Sequence, residues 1–95
     1  MLLSKDDIGV DRLVRHKIND CEVYIAEKKG KVIIIALYRG IHSLYFKVTP
    51  SYAGSWDCEE LEYYPFGYYG FIRDEKELVP KLLEKISELE KNELI

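Results

Sequence analysis

Cys58 and His42 are the one pairing of a nucleophile with a base that this chain offers. A thiolate at neutral pH needs a neighbouring cation or a helix N-terminus. Cys58 is instead followed by Glu59 and Glu60, and negative neighbours raise a thiol pKa. A hydrolase or nuclease built on Asp57, Cys58 and the acids at 59–62 therefore ranks last. No catalytic residue is assigned, and the chain is not expected to be an enzyme. Asp6, Asp7 and Asp11, and further on Asp57, Glu59, Glu60 and Glu62, are the oxygen ligands that magnesium or calcium would use. No Asp-x-Asp-x-Asp-Gly loop brings them together, so no metal is assigned either. The glycines stand singly, and neither Gly-x-x-x-x-Gly-Lys nor Gly-x-Gly-x-x-Gly occurs, so no nucleotide or other cofactor is expected.

Binding chemistry is better represented. Residues 51–71 hold eight aromatic rings in 21 positions, set among Asp57, Glu59, Glu60 and Glu62. Tyrosine and tryptophan anchor interfaces because each buries a large area and keeps a polar handle. Tyr52, Trp56, Tyr63, Tyr64, Tyr68 and Tyr69 are the expected contacts for a protein partner with a basic patch, or for a second copy of the chain in a homodimer. Trp56 and Phe71 also suit closing the core. An alternative is a nucleic-acid-binding module: Arg12, Arg15, Lys28, Lys29 and Lys31 would flank Tyr24 and Tyr45, read as sharing one polar sheet face, in a stacking platform for single strands. The same lysines at a hairpin tip also guard a sheet edge against aggregation.

The charge balance weighs on that choice. The 95 residues carry 14 basic and 17 acidic groups, a net −3. Residues 1–50 hold nine basic and six acidic groups, a net +3, and residues 51–95 hold five and eleven, a net −6. The acidic half is also the aromatic half. Glu and Lys reach 11 and 10 while Gln is absent and Asn occurs twice, a thermophile-like composition. Two cysteines, Cys21 and Cys58, are too few for a disulfide framework or a zinc knuckle; free thiols are expected, with a single bridge as the thermophile alternative. The longest apolar run, residues 32–38, is far below the roughly 20 residues of a membrane helix. Residues 1–7 have no basic region followed by an apolar stretch, so a cytoplasmic location without membrane contact is expected.

These residues need elements to position them. Residues 4–18 read as a helix, with Ser4 and Asp7 as a capping-box start and Val10, Leu13, Val14 and Ile18 on one stripe. A strand from Leu13 to Ile18 is the competing reading. Residues 21–27 alternate, placing Cys21, Val23 and Ile25 opposite Glu22, Tyr24 and Ala26. Lys28-Lys29-Gly30-Lys31 makes a hairpin loop. Residues 32–38 are apolar throughout, as befits a central strand covered on both faces. Residues 41–48 alternate again, with Leu44, Phe46 and Val48 opposite Ser43, Tyr45 and Lys47. Two short strands follow near 59–64 and 68–73. A closing helix is capped by Asp74, carries Val79, Leu82, Ile86 and Leu89, and has its first turn distorted or separated by Pro80.

The expected fold is thus a single α+β domain over 1–95. It is an antiparallel meander of three to five strands with an N-terminal and a C-terminal helix on one face, in the order α-β-β-β-(β-β)-α. The order α-β-β-β-α resembles that of double-stranded-RNA-binding domains. Those domains carry lysines at the start of the second helix, where this chain has Asp74-Glu75-Lys76-Glu77, so no residue roles are carried over.

Overall fold

The structure is a computed structural model that describes residues 3–18, 21–39, 44–50, 58–63 and 66–92. Five strands, β1 (Arg12–Ile18), β2 (Cys21–Lys28), β3 (Lys31–Arg39), β4 (Leu44–Pro50) and β5 (Tyr68–Ile72), pair antiparallel in sequence order. A six-residue helix, α1 (Cys58–Tyr63), precedes β5, and α2 (Leu78–Lys91) closes the described chain. The meander follows from sequence. Residues 33–38 of β3 are all buried, and the strands on either side alternate toward the two faces. The β2–β3 hairpin turns through Lys29 (φ 52°) and Gly30 (φ 78°), two left-handed residues in succession, which matches the twist of the flanking strands. Asp11 accepts the Lys29 N–H at 2.9 Å and holds the turn against the start of β1.

One face of the sheet packs Tyr24, Ile35, Phe46 and Val48 against Leu78, Leu82, Ile86 and Leu89 of α2, with Leu3, Ile8 and Val10 closing the side. Each such apolar side chain contributes about 1.5–3 kcal/mol when fully buried. Pro80 is the third residue of α2, where its missing N–H is an orphan in any helix. The turn before it, Glu75–Glu77, is a separate 3₁₀ turn in which Asp74 accepts the Lys76 N–H at 3.0 Å. The other face buries Cys21, Val23, Ile34, Ala36 and Tyr38 beneath Leu61 of α1.

The N-terminal helix expected over residues 4–18 does not form. Its capping box does: Ser4 N–H donates to Asp7 Oδ2 at 3.0 Å, and Asp7 N–H to Ser4 Oγ at 3.3 Å. Gly9 then takes φ 64° and the Val10 N–H returns to the Lys5 carbonyl at 3.0 Å, the left-handed glycine closure that terminates helices. The chain leaves after one turn, and Arg12–Ile18 pairs with β2 instead. The segment read as a strand near 59–64 is helical, because glutamates favour helix and Cys58 and Leu61, three apart, reach the sheet together. The two helices therefore lie on opposite faces, not on one, and the order of elements no longer matches that of double-stranded-RNA-binding domains.

Gly70 lies directly across from Phe46, whose buried ring occupies the space a side chain would need: a Cβ there would sit 2.2 Å from Phe46 Cζ. Gly70→Ala is expected to lower the unfolding free energy by about 1–3 kcal/mol through this overpacking, measured by urea denaturation.

Candidate functional site

The face under α1 carries a row of rings set by strand register. Tyr38 pairs with Tyr45 and Tyr45 with Phe71 across β3, β4 and β5. The rings stack at centroid distances of 5.0 Å and 5.7 Å. The next row places Lys47 beside Tyr69, with Lys47 Nζ 5.1 Å from the ring centroid. Both rows serve α1. Tyr38 Oη donates to the Cys58 carbonyl at 2.8 Å, and Tyr45 Oη to Glu62 Oε1 at 2.9 Å. Lys47 Nζ at 3.4 Å and the Tyr69 hydroxyl both donate to the Glu62 carbonyl. A cation at the C-terminal end of a helix is favoured by its dipole. The Cys21–Cys58 disulfide, with its Cα atoms 6.1 Å apart, fixes the other end, so the expectation of free thiols is corrected. In this state Cys58 has no thiolate to offer a base.

Burial pushes the pKa of Lys47, which is 1% exposed, below its ordinary value of 10.5, and the Glu62 carboxylate partly offsets this. Burial and the Glu62 charge push the Tyr45 and Tyr69 phenols above 10.0. Tyr63 is close enough to add to both shifts.

Outward from this clamp the surface is aromatic. Tyr63 is 78% exposed, Phe71 67% and Tyr69 41%. Of the six expected partner contacts, Tyr63 and Tyr69 belong to this patch. Tyr68 is half-buried, accepts a hydrogen bond from Asn92 Nδ2 at 2.5 Å, and packs toward the α2 face. Tyr52, Trp56 and Tyr64 lie outside the described residues, as do His42 and Asp57. Phe71 is exposed, contrary to the core role expected of it. Its alternation with buried Gly70 and Ile72 was the available signal. Glu60 and Glu62 are on a helix and do not share a face as they would on a strand.

Register brings Arg12, Lys28, Lys29 and Lys31 of the nucleic-acid alternative to one end of the sheet, but its two tyrosines do not share a face. Tyr24 is buried in the core beneath α2 with its pKa raised by that burial, whereas Tyr45 is on the other face, so the shared platform is corrected. The reason is register: Tyr24 aligns with Ile35 and Val48, and Tyr45 with Tyr38 and Cys21. Arg12 pairs with Glu27 at 3.9 Å, Arg15 with Glu22 at 3.3 Å and Lys28 with Glu90 at 2.5 Å. Lys29 and Lys31 are exposed at the hairpin tip. Among the described residues no three His, Cys, Asp or Glu side chains gather as a metal site, and no helix is long and apolar enough to cross a membrane. Comparison with protein-family models, curated proteins and solved structures finds no match.

The phenol shifts set a pH signature. In the folded protein Tyr45 and Tyr69 keep their protons above the pH near 10.0 where unfolded tyrosines ionise. Their contribution to stability is complete below that pH and is lost as pH rises through the higher folded values. Lys47 acts in the opposite sense: holding it protonated costs stability, and that cost is relieved as pH rises from its folded value toward 10.5. An absorbance titration at the phenolate band should show a late phase above the main one. Glu62→Gln should move that late phase down in pH without abolishing it, since burial is the largest single cause of each shift and remains in the variant.

Proposed function

We propose that this protein is a small non-enzymatic binding protein whose acidic, aromatic surface on α1 and β5 docks a protein partner. The observation that carries the reading is the exposure of three rings, Tyr63 on α1 and Tyr69 and Phe71 on β5, beside a helix whose residues include Glu60 and Glu62. Exposed aromatic clusters rimmed by charge mark interaction sites, because leaving such area in water forgoes about 25 cal/mol per Å² of burial. The site is also preorganised. Disulfide, hydroxyl and ammonium contacts fix α1 before any partner arrives, so little conformational freedom is lost on docking.

The test is affinity capture from lysate of the source cells with the wild type and with a Tyr63→Ala/Phe71→Ala double variant. Both positions are exposed, so the circular dichroism spectrum of the fold should be retained, with a small drop in melting temperature from loss of the Tyr45–Phe71 stack. Partner recovery should fall about tenfold or more, as for two interface anchors each worth over 1 kcal/mol. An unchanged set of captured proteins with an intact fold would overturn the proposal.

A further inference from the structure

The sheet ends in two edges of opposite character. Edge strands present a row of unpaired backbone groups, and proteins commonly protect them with charge. β1, at one edge, reads Arg-Leu-Val-Arg-His-Lys-Ile. β5, at the other, reads Tyr-Tyr-Gly-Phe-Ile and has no charged residue. The exposed rings of Tyr69 and Phe71 stand on that uncharged edge strand.

We infer that the occupant of the α1–β5 surface is a second copy of this chain, joined by antiparallel pairing of β5 with β5 across a two-fold axis at Gly70. The inference rests on the reading of that surface as a docking site and names its partner. Gly70 is the midpoint of the five-residue strand, so an axis there pairs the strand along its whole length. Tyr69 then stands opposite Phe71 of the second copy, and Phe71 opposite its Tyr69. The Tyr38–Tyr45–Phe71 row continues across the axis into the other molecule, with aromatic cross-strand pairs of the kind that stabilise sheets. On the opposite face Tyr68 meets Ile72.

The competing arrangements lack this complementarity. β1 pairing with itself about its midpoint sets Arg15 directly opposite Arg15, and like charges in that position are destabilising. β1 against β5 is a head-to-tail contact that leaves a free edge at each end and grows into an open array, whereas β5 against β5 closes. The exposed parts of Tyr63, Tyr69 and Phe71 in two copies amount to on the order of 800 Å². That is below the standard size of a stable interface, so the dimer should be weak and dissociate on dilution.

Sedimentation velocity over a concentration series, with backbone amide exchange read at both ends of the series, tests this on the oxidised full chain. The expected mass is twice 11.2 kDa at high concentration, falling toward one chain on dilution. Amides of β5 should gain protection as the dimer forms while those of β1 do not change. Phe71→Lys, which adds charge at an exposed position, should give a folded monomer. Arg15→Ala at the other edge should leave the dimer intact. A dimer that persists in Phe71→Lys, or that protects β1 instead, overturns the proposal. A wild type of one-chain mass at every concentration up to about 1 mM also overturns it. In that last case capture from lysate separates the two readings. A partner lost on Phe71→Lys leaves the docking surface standing and removes only the second copy, whereas an unchanged partner set removes both.

Discussion

Strand β3 has no face to turn toward water. Its residues 33–38 are buried without interruption, so the sheet built around it must be covered on both sides. The fourteen residues of α2 do this for one face with four buried aliphatic side chains. For the other face the described chain offers α1, six residues long. A helix that short is unstable by itself, since isolated helices below about 12–15 residues are marginal in water. It persists because it is held at both ends: by the bond from Cys58 to Cys21 on β2, and by Tyr45, Lys47 and Tyr69 gathered at Glu62.

The same residues that solve this packing problem create the surface. Tyrosines that must reach up to α1 stand in register on β3, β4 and β5, so their rings form rows. Where the rows run past the cover of α1 they emerge as exposed Tyr69 and Phe71, beside exposed Tyr63 on the helix itself. Among the described residues, so small a cover on the second face leaves aromatic area exposed. A binding role for that area is economical: the rings are rigid and already oriented.

Much of the fold was legible in the sequence because the signals there were local. The uniform apolar run of β3, the alternation on β2 and β4, the Lys-Lys-Gly-Lys turn and the spacing of Leu82, Ile86 and Leu89 each declare one element. Ser4 and Asp7 form the capping box that their spacing predicts, yet the helix they begin stops at Gly9, where a left-handed residue outweighs the apolar spacing beyond it. Leu13 and Val14, neighbours on a helical stripe, turn to opposite sides of a strand once β2 supplies the hydrogen bonds. What the sequence hides is contact at a distance. Nothing local to Cys21 or Cys58 announces a partner 37 residues away, although that bond tethers the first residue of α1 to β2. The position of Tyr24 relative to Tyr45 likewise turns on register, which alternation within each strand leaves open.

The central claim is that the second face is closed by an element too small to hold without its covalent tether. Amide hydrogen exchange of the oxidised protein and of the same protein reduced with a dithiol tests it most directly. Closing a loop of 37 residues contributes about 2–4 kcal/mol. On reduction, protection of the α1 amides should therefore fall by roughly thirty-fold or more, and β3 should lose protection with them, while α2 changes less. Exchange at α1 that is the same in both states would contradict the account.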